Sequence, residues 1–341
     1  MANQQIEENR ANPNLQYPKT FIARLDYQGE LEESPLDFSP DGKVLAIGAT
    51  NAPPSDPEHL SDFAALKLWD TDTYQETIFE GECVPEYIRV VQFSSDGNLL
   101  AVSNNALVNI WDIERKQWFD NQYYWAECSD CIQSLVFTPD TKYLMGTDGC
   151  PDFFVWEVST DPKRKRLQLL TDQSSRYLTI NPDGSELATG SSHTGIIGLL
   201  EVESIVALFE DKAVFDGCDG YFELQHPTAT FLHRGGVLAL RYCPTEKVLA
   251  SGGADGVVRL WDTVTKQEIA TLNHGDYVGS IDFSSDGALL FSSGGSALHV
   301  WHLSTCQKLE TFNEPADLVR CSPCGRFLAS ATYSGQVSLW K

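Results

Sequence analysis

Short apolar runs of four to six residues, each broken by a polar cluster containing Pro, Asp or Gly, set the texture of this chain from residue 21 onward. The runs alternate β-branched, aromatic and small side chains, which is strand patterning. One pattern returns seven times: "LDFSPDGKVLAIG" from Leu36, "VQFSSDGNLLAVS" from Val91, "LVFTPDTKYLMGT" from Leu135, "LTINPDGSELATG" from Leu178, "LRYCPTEKVLASG" from Leu240, "IDFSSDGALLFSS" from Ile281 and "VRCSPCGRFLASA" from Val319. In "FSPDG", Pro fixes one φ, Asp bonds back to its own backbone and Gly takes the positive φ of a tight hairpin. Each copy therefore predicts two antiparallel strands.

A second apolar run follows each copy: "LKLWD", "VNIWD", "FFVWE", "IGLLE", "VRLWD", "LHVWH" and "VSLWK". Their anchors, Trp69, Trp111, Trp156, Leu200, Trp261, Trp301 and Trp340, are spaced 42, 45, 44, 61, 40 and 39 residues apart. A third strand ending at the anchor and a fourth before the next copy make a four-stranded antiparallel unit, and seven units predict an all-β fold. The seventh unit stops on its third strand. The strand-like "TFIARLDYQ", residues 20–28, is expected to supply its missing outer strand and so hide two open sheet edges. Residues 1–19 then read as a flexible tail and 20–341 as a single domain.

On these copies and their "WD" endings, residues 21–341 resemble the WD-repeat β-propeller family. The resemblance implies a seven-bladed β-propeller that serves, without catalysis, as a platform for protein partners. It also implies a structural tetrad, in which a His before the inner strand, a Ser or Thr on the second, an Asp in the next turn and the Trp of the third brace a blade. Only the fifth unit carries all four, as His233, Ser251, Asp255 and Trp261. The sixth has His274, Ser292 and Trp301 without the aspartate, and the seventh keeps Ser330 and Trp340. A His, a Ser and an Asp in one segment also suggest a hydrolase, but Ser251 belongs to a strand and no "GxSxG" turn is present. No catalytic residue is assigned.

Composition narrows the partner. The chain of 341 residues is 42% hydrophobic and 21% charged, as a globular protein is, and carries 48 acidic against 24 basic residues, a formal charge of −24. That charge repels phosphate backbones and anionic membranes, so nucleic acid and membrane are not expected as main ligands. No apolar run reaches the roughly 20 residues of a membrane-spanning helix, and the polar N-terminus lacks the pattern of a signal peptide. The expected location is the cytoplasm. The nine cysteines include two Cys-x-x-Cys pairs, Cys128 with Cys131 and Cys321 with Cys324. These fall on opposite rims and do not converge on one metal, so neither a metal nor a cofactor is expected; the oxidation state of each pair stays open.

Propeller links sort onto two rims. Those joining the second to the third strand, and the outer strand to the next inner strand, share the upper rim; the "SPDG" turns and the links after each anchor share the lower one. The upper rim is expected to be acidic with aromatics interleaved, a combination suited to a basic protein or peptide. Its candidate partner-binding residues are Asp56, Glu58, Asp62, Glu86, Tyr87, Tyr124, Trp125, Asp211, Phe215, Asp216, Asp219, Tyr221, Phe222 and Tyr277. The lower rim carries a short basic run at residues 163–166. The long fourth interval places its excess at 211–231 on the upper rim, and a permanently docked subunit using that insertion is the alternative function. A propeller-type hydrolase is the remote one. Oligomeric state and partner identity stay open.

Overall fold

A computed structural model describes residues 18–26, 35–48, 66–78, 88–103, 107–119, 124–125, 132–149, 152–158, 165–170, 174–212, 214–215, 222–223 and 226–341. Seven antiparallel sheets form a seven-bladed β-propeller, each with inner, second, third and outer strands in that spatial order. Blade 5 is the fullest copy of the repeat: Val237–Tyr242, Val248–Gly253, Val257–Asp262 and Gln267–Asn273. No helix among the described residues is long and apolar enough to cross a membrane.

The polar turn between the first two strands folds as its residues dictate. In blade 1, Ser39 Oγ donates to Asp41 Oδ1 (2.7 Å) and accepts from the Val44 N–H (2.9 Å), while Gly42 sits at φ 70°. Ser94 with Asp96 and Ser284 with Asp286 repeat the arrangement. Blade 3 has Thr141 where blade 1 has Gly42, and the turn holds this β-branched residue at φ 59°. The aspartate of each "WD" ending closes the next turn. Asp262 Oδ1 accepts from the Val264 and Thr265 N–H groups at 2.8 Å, and Asp70 Oδ1 does the same for Asp72 and Thr73.

Because both faces of a blade are apolar, the core is a set of seven seams between neighbouring sheets. Leu25, Leu36, Leu45, Phe327 and Val337 fill the seam between blades 7 and 1. Ala250, Val258, Phe283 and Trp301 help to fill the one between blades 5 and 6.

The ring closes as the N-terminal strand pattern predicts. Phe21–Asp26 runs antiparallel to Gln336–Trp340, with Arg24 opposite Ser338. Thr20 and Lys341 exchange backbone hydrogen bonds of 2.8 Å in both directions, and Phe21 stacks edge-on against Trp340. The contacts of this closing segment reach back to residue 18: Pro18 is buried and the Lys19 N–H bonds to the Lys341 carbonyl at 3.0 Å. The rest of the expected tail, residues 1–17, lies outside the described residues.

The long fourth interval corrects the sequence reading. Its excess follows the third strand of blade 4, Ile196–Glu201, rather than the outer strand, and so begins on the lower rim. It opens with helix α1, Val202–Lys212. Val202, Ile205 and Phe209 recur on one helical face and are buried, and Phe209 packs edge-on against Tyr143 of blade 3 at 5.2 Å. Tyr143 Oη also donates to Glu210 Oε1 at 2.6 Å. The helix thereby sends the chain towards blade 3, where Val214–Phe215 and Phe222–Glu223 add to the outer strand Lys165–Leu170. The outer strand of blade 4 itself is Ala229–Leu232.

Deleting residues 1–28 removes the outer strand of blade 7 and uncovers the Leu25 seam. A large fall in melting temperature is expected by calorimetry, and an unchanged midpoint would contradict this account of closure.

Candidate interaction surface

The residues that first suggest catalysis are spent inside the blades. In blade 5, Ser251 Oγ lies 2.7 Å from His233 Nδ1 and accepts from Trp261 Nε1 at 2.8 Å. His233 Nε2 lies 3.0 Å from Asp255 Oδ1, and Arg259 Nη1 donates to Asp255 Oδ2 at 2.8 Å. His233 and Ser251 are fully buried, so every polar atom of this set has a partner within the protein. Burial holds the His233 imidazole below its ordinary pKa, against the opposing pull of Asp255.

Blade 6 shows what the missing aspartate changes. His274 Nδ1 and Trp301 Nε1 still meet Ser292 Oγ, at 2.9 and 2.8 Å, but His274 Nε2 faces the Gly294 carbonyl at 3.4 Å. A second imidazole, His299, stands against His274 with ring centroids 4.4 Å apart. Burial, joined by the charge His299 would carry, pushes His274 down to about 4. In blade 7 Trp340 Nε1 donates to Ser330 Oγ at 3.1 Å, while Ser334, in the aspartate's position, bonds Thr332. Blade 1 has Ile47 in the serine position, and the buried Trp69 Nε1 has no partner there.

The inner strands carry a second polar system, which the sequence reading missed. The residue after the first apolar position of each copy is Asp37, Gln92, Val136, Thr179, Arg241, Asp282 and Arg320 in blades 1 to 7. Going round the ring from blade 5 to blade 1, the charges alternate: Arg241, Asp282, Arg320, Asp37. Arg241 Nε donates to Asp282 Oδ1 at 2.9 Å, and Asp282 Oδ2 accepts from the Cys321 N–H of blade 7 at 2.8 Å. Asp37 Oδ2 likewise accepts from the Phe93 N–H of blade 2 (2.8 Å) and from Gln92 Nε2 (2.9 Å). Burial pushes the Asp37 carboxyl up to about 6. The signal was a single column of the repeat alignment.

The candidate partner residues that the structure describes are not all on the upper rim. Asp56, Glu58, Asp62, Glu86, Tyr87, Asp216, Asp219 and Tyr221 lie outside the described residues. Tyr124 and Trp125, expected in a link, form a short strand on the outer edge of blade 2, paired with Val108 and Leu107. Phe215 and Phe222 stand on the outer edge of blade 3, and exposed Asp211 lies in the last turn of helix α1, so these three are not in an upper-rim link. Tyr277 is on the upper rim, but it braces that rim. Its hydroxyl donates to Asp317 Oδ1, whose Oδ2 accepts from the Tyr333 N–H at 2.8 Å.

Helix α1 creates a groove on the lower rim that the sequence reading did not foresee. The open volume is about 1660 Å³, lined by Asp140, Tyr143, Asp183, Glu186, Glu201, Glu203, Val206 and Lys266 among others. Three of these carboxylates are already paired: Glu186 with Lys266 Nζ at 2.9 Å, Asp140 with Lys142 Nζ at 3.4 Å, and Asp183 with Lys247. The lower-rim basic run falls partly outside the described residues, and its remaining members, Lys165 and Arg166, belong to the outer strand of blade 3. Among the described residues no three His, Cys, Asp or Glu side chains group as a metal site would. Cys321 and Cys324 are free thiols, Cys321 buried and Cys324 exposed; the pair at 128 and 131 lies outside the described residues.

Seven four-stranded blades, anchored on tryptophan and closed by the N-terminal strand, define a WD-repeat propeller. Residues 75–112, 225–262, 266–302 and 307–341 match the family described as WD domain, G-beta repeat, so the chain carries repeats of that family at four positions. It is similar to the "Anaphase-promoting complex subunit cdc20" of Dictyostelium discoideum, 25% identical over 288 residues that cover 80% of this chain and 53% of that protein. It is also similar to "Protein groucho" of Drosophila melanogaster, 22% identical over 78% of this chain and 42% of that one. The chain thus spans about half the length of the curated relatives it matches. Among solved structures, a chain of "Crystal Structure of Mitotic Checkpoint Complex" superposes with a TM-score of 0.73 at 20% identity, covering 98% of this chain and 95% of that one, a likeness of fold.

Two outcomes follow from the braces. His233→Ala leaves Ser251 and Asp255 short of a partner and is expected to cost about 1–3 kcal/mol in urea denaturation; a neutral effect would count against the brace. His233, His274 and His299 all titrate below their ordinary value of 6.5 in the folded protein, so the unfolded chain binds more protons as pH falls. Their contribution to stability is complete above 6.5 and is lost as pH falls below it, for His274 down to about 4. Asp37, raised to about 6, acts in the opposite sense. The melting temperature should therefore drop as pH falls through this window, and Asp37→Asn should make the drop steeper.

Proposed function

We propose that the protein is a non-catalytic interaction scaffold of the cytoplasm that binds a basic protein or peptide through acidic, aromatic-bearing segments of its rims. The observation that carries this reading is that the His, Ser and Asp set resembling a catalytic group is consumed by the internal brace of blade 5, within a closed ring. Two relatives support it by their printed names, one a subunit of the anaphase-promoting complex and the other part of a mitotic checkpoint complex. The formal charge of −24 supports a basic partner, since complementary charge speeds encounter and selects against like-charged competitors.

A second reading, a permanently docked subunit that uses the fourth-interval insertion, is favoured by the way helix α1 is fixed. Phe209 and Glu210 both engage Tyr143, so the groove wall formed by Glu203 and Val206 is preorganised before any partner arrives.

Affinity purification with cross-linking and mass spectrometry separates the two readings. Charge reversal of Asp56, Glu58 and Asp62 should weaken capture if the upper rim binds. Reversal of Asp211, Asp216 and Asp219 should do so if the insertion binds, with the partner then recovered at fixed stoichiometry. In either case capture should weaken as salt rises; capture that strengthens with salt would overturn the proposal of a basic partner.

A further inference from the structure

The lower-rim groove beside helix α1 is used neither by the braces nor by ring closure. The first turns of blades 3 and 4 meet the helix there, and Lys266 reaches it from blade 5. Its sides are fixed by contacts between elements. Phe209 and Glu210 hold the helix on Tyr143, while Glu186 takes Lys266 Nζ on Oε2 and the Tyr242 hydroxyl on Oε1, each at 2.9 Å. The lining carries five carboxylates against two ammonium groups, a net formal charge of −3. Lysines already answer Asp140, Asp183 and Glu186. Glu201 and Glu203 are the remainder. Both are exposed, at the junction where the third strand of blade 4 turns into the helix. Glu201 Oε2 accepts from Ser204 Oγ at 3.2 Å, and neither carboxylate enters an ion pair among the described residues. Half-buried Val206, three positions after Glu203 and so on the same face of the helix, sets an apolar contact beside them.

From this arrangement we infer that the groove docks a basic peptide segment, in which lysine or arginine meets Glu201 and Glu203 while an apolar neighbour covers Val206. The site rests on the basic partner proposed above and gives that partner one place on the ring. Charge selects the occupant. A second copy of this chain, at −24, and a nucleic acid are both repelled by a lining of the same sign, whereas a cationic segment is drawn in. The groove is open to solvent, so its occupant keeps one side in water, as a peptide lying along a surface does. Binding then orders the incoming segment but not the walls, which lowers its entropic cost. The apolar contact at Val206 distinguishes this site from general attraction to an acidic protein, because charge alone gives no reason to prefer one acidic stretch of the rim over another.

Fluorescence polarisation of the full chain with a labelled peptide of alternating lysine and leucine tests the inference, with a glutamate and leucine peptide as the comparison. Saturable binding is expected for the lysine peptide, weakened at least about ten-fold in the double variant Glu201→Lys, Glu203→Lys. Glu114→Lys changes charge in the same sense at an exposed site on the lower rim of blade 2 and should alter affinity by less than about two-fold. Val206→Asp should weaken binding even though it adds a carboxylate, which non-specific attraction would reward. No saturable binding, equal binding of the glutamate peptide, equal loss in Glu114→Lys, or tighter binding by Val206→Asp would each overturn the groove as the site. If partner capture in the affinity purification then remains salt-sensitive and survives the double reversal, the basic partner stands and only its place is wrong; capture insensitive to salt removes both. Circular dichroism of the variants, with Glu203→Gln as a milder probe expected to give a smaller loss, separates loss of the site from loss of the fold.

Discussion

Everything in this molecule depends on a blade having two apolar faces. A four-stranded sheet covered on one side only would leave half its side chains in water, so each blade needs a neighbour on both flanks. A row of blades satisfies that need everywhere except at its two ends, and bending the row into a ring removes the ends. The seam that joins Leu25 and Val337 to Leu36 and Leu45 is built from the same kinds of residues as the other six. What distinguishes it is that one sheet is assembled from both ends of the described chain.

Polar groups are placed so as not to disturb these seams. In the blade 5 set His233, Ser251 and Trp261 are buried yet partnered, with Asp255 closing the chain at the surface, and the set fixes how strands of one blade stand relative to each other. The aspartates of the inner ring act between blades, since Asp282 and Asp37 each reach a backbone N–H of the next sheet. Stability within a blade and alignment between blades thus rest on separate networks. A blade can form without the full brace, as blade 1 shows with an unpartnered Trp69 Nε1.

Much of this was legible in the sequence because the repeat is local. "SPDG" turns, period-two apolar runs and tryptophan anchors each report on a few adjacent residues, and the four members of the blade 5 brace fall within thirty positions. Helix α1 was not read, although Val202, Ile205 and Phe209 carry a helical period. That segment sat inside an interval judged only by its excess length, and its docking on Tyr143 depends on a contact across blades. The placement of Asp211, Phe215 and Phe222 failed for the same reason. Tyr277 looked like an exposed anchor because its partner, Asp317, belongs to the following blade. The inner ring of Asp37, Arg241, Asp282 and Arg320 was visible as one column of the repeat, but its meaning appears only when the blades close into a circle.

The pairing of Phe21–Asp26 with Gln336–Trp340 also sets the order of events during synthesis. The strand of this ring that is made first belongs to the blade of the ring that is completed last, so it waits as an unpaired edge while the six intervening sheets form. Contacts so distant in the chain are slow to find, and a waiting strand is open to capture by another molecule. Lys19, Arg24 and Asp26, charged residues in and beside an otherwise apolar segment, are the kind of guard that discourages such pairing.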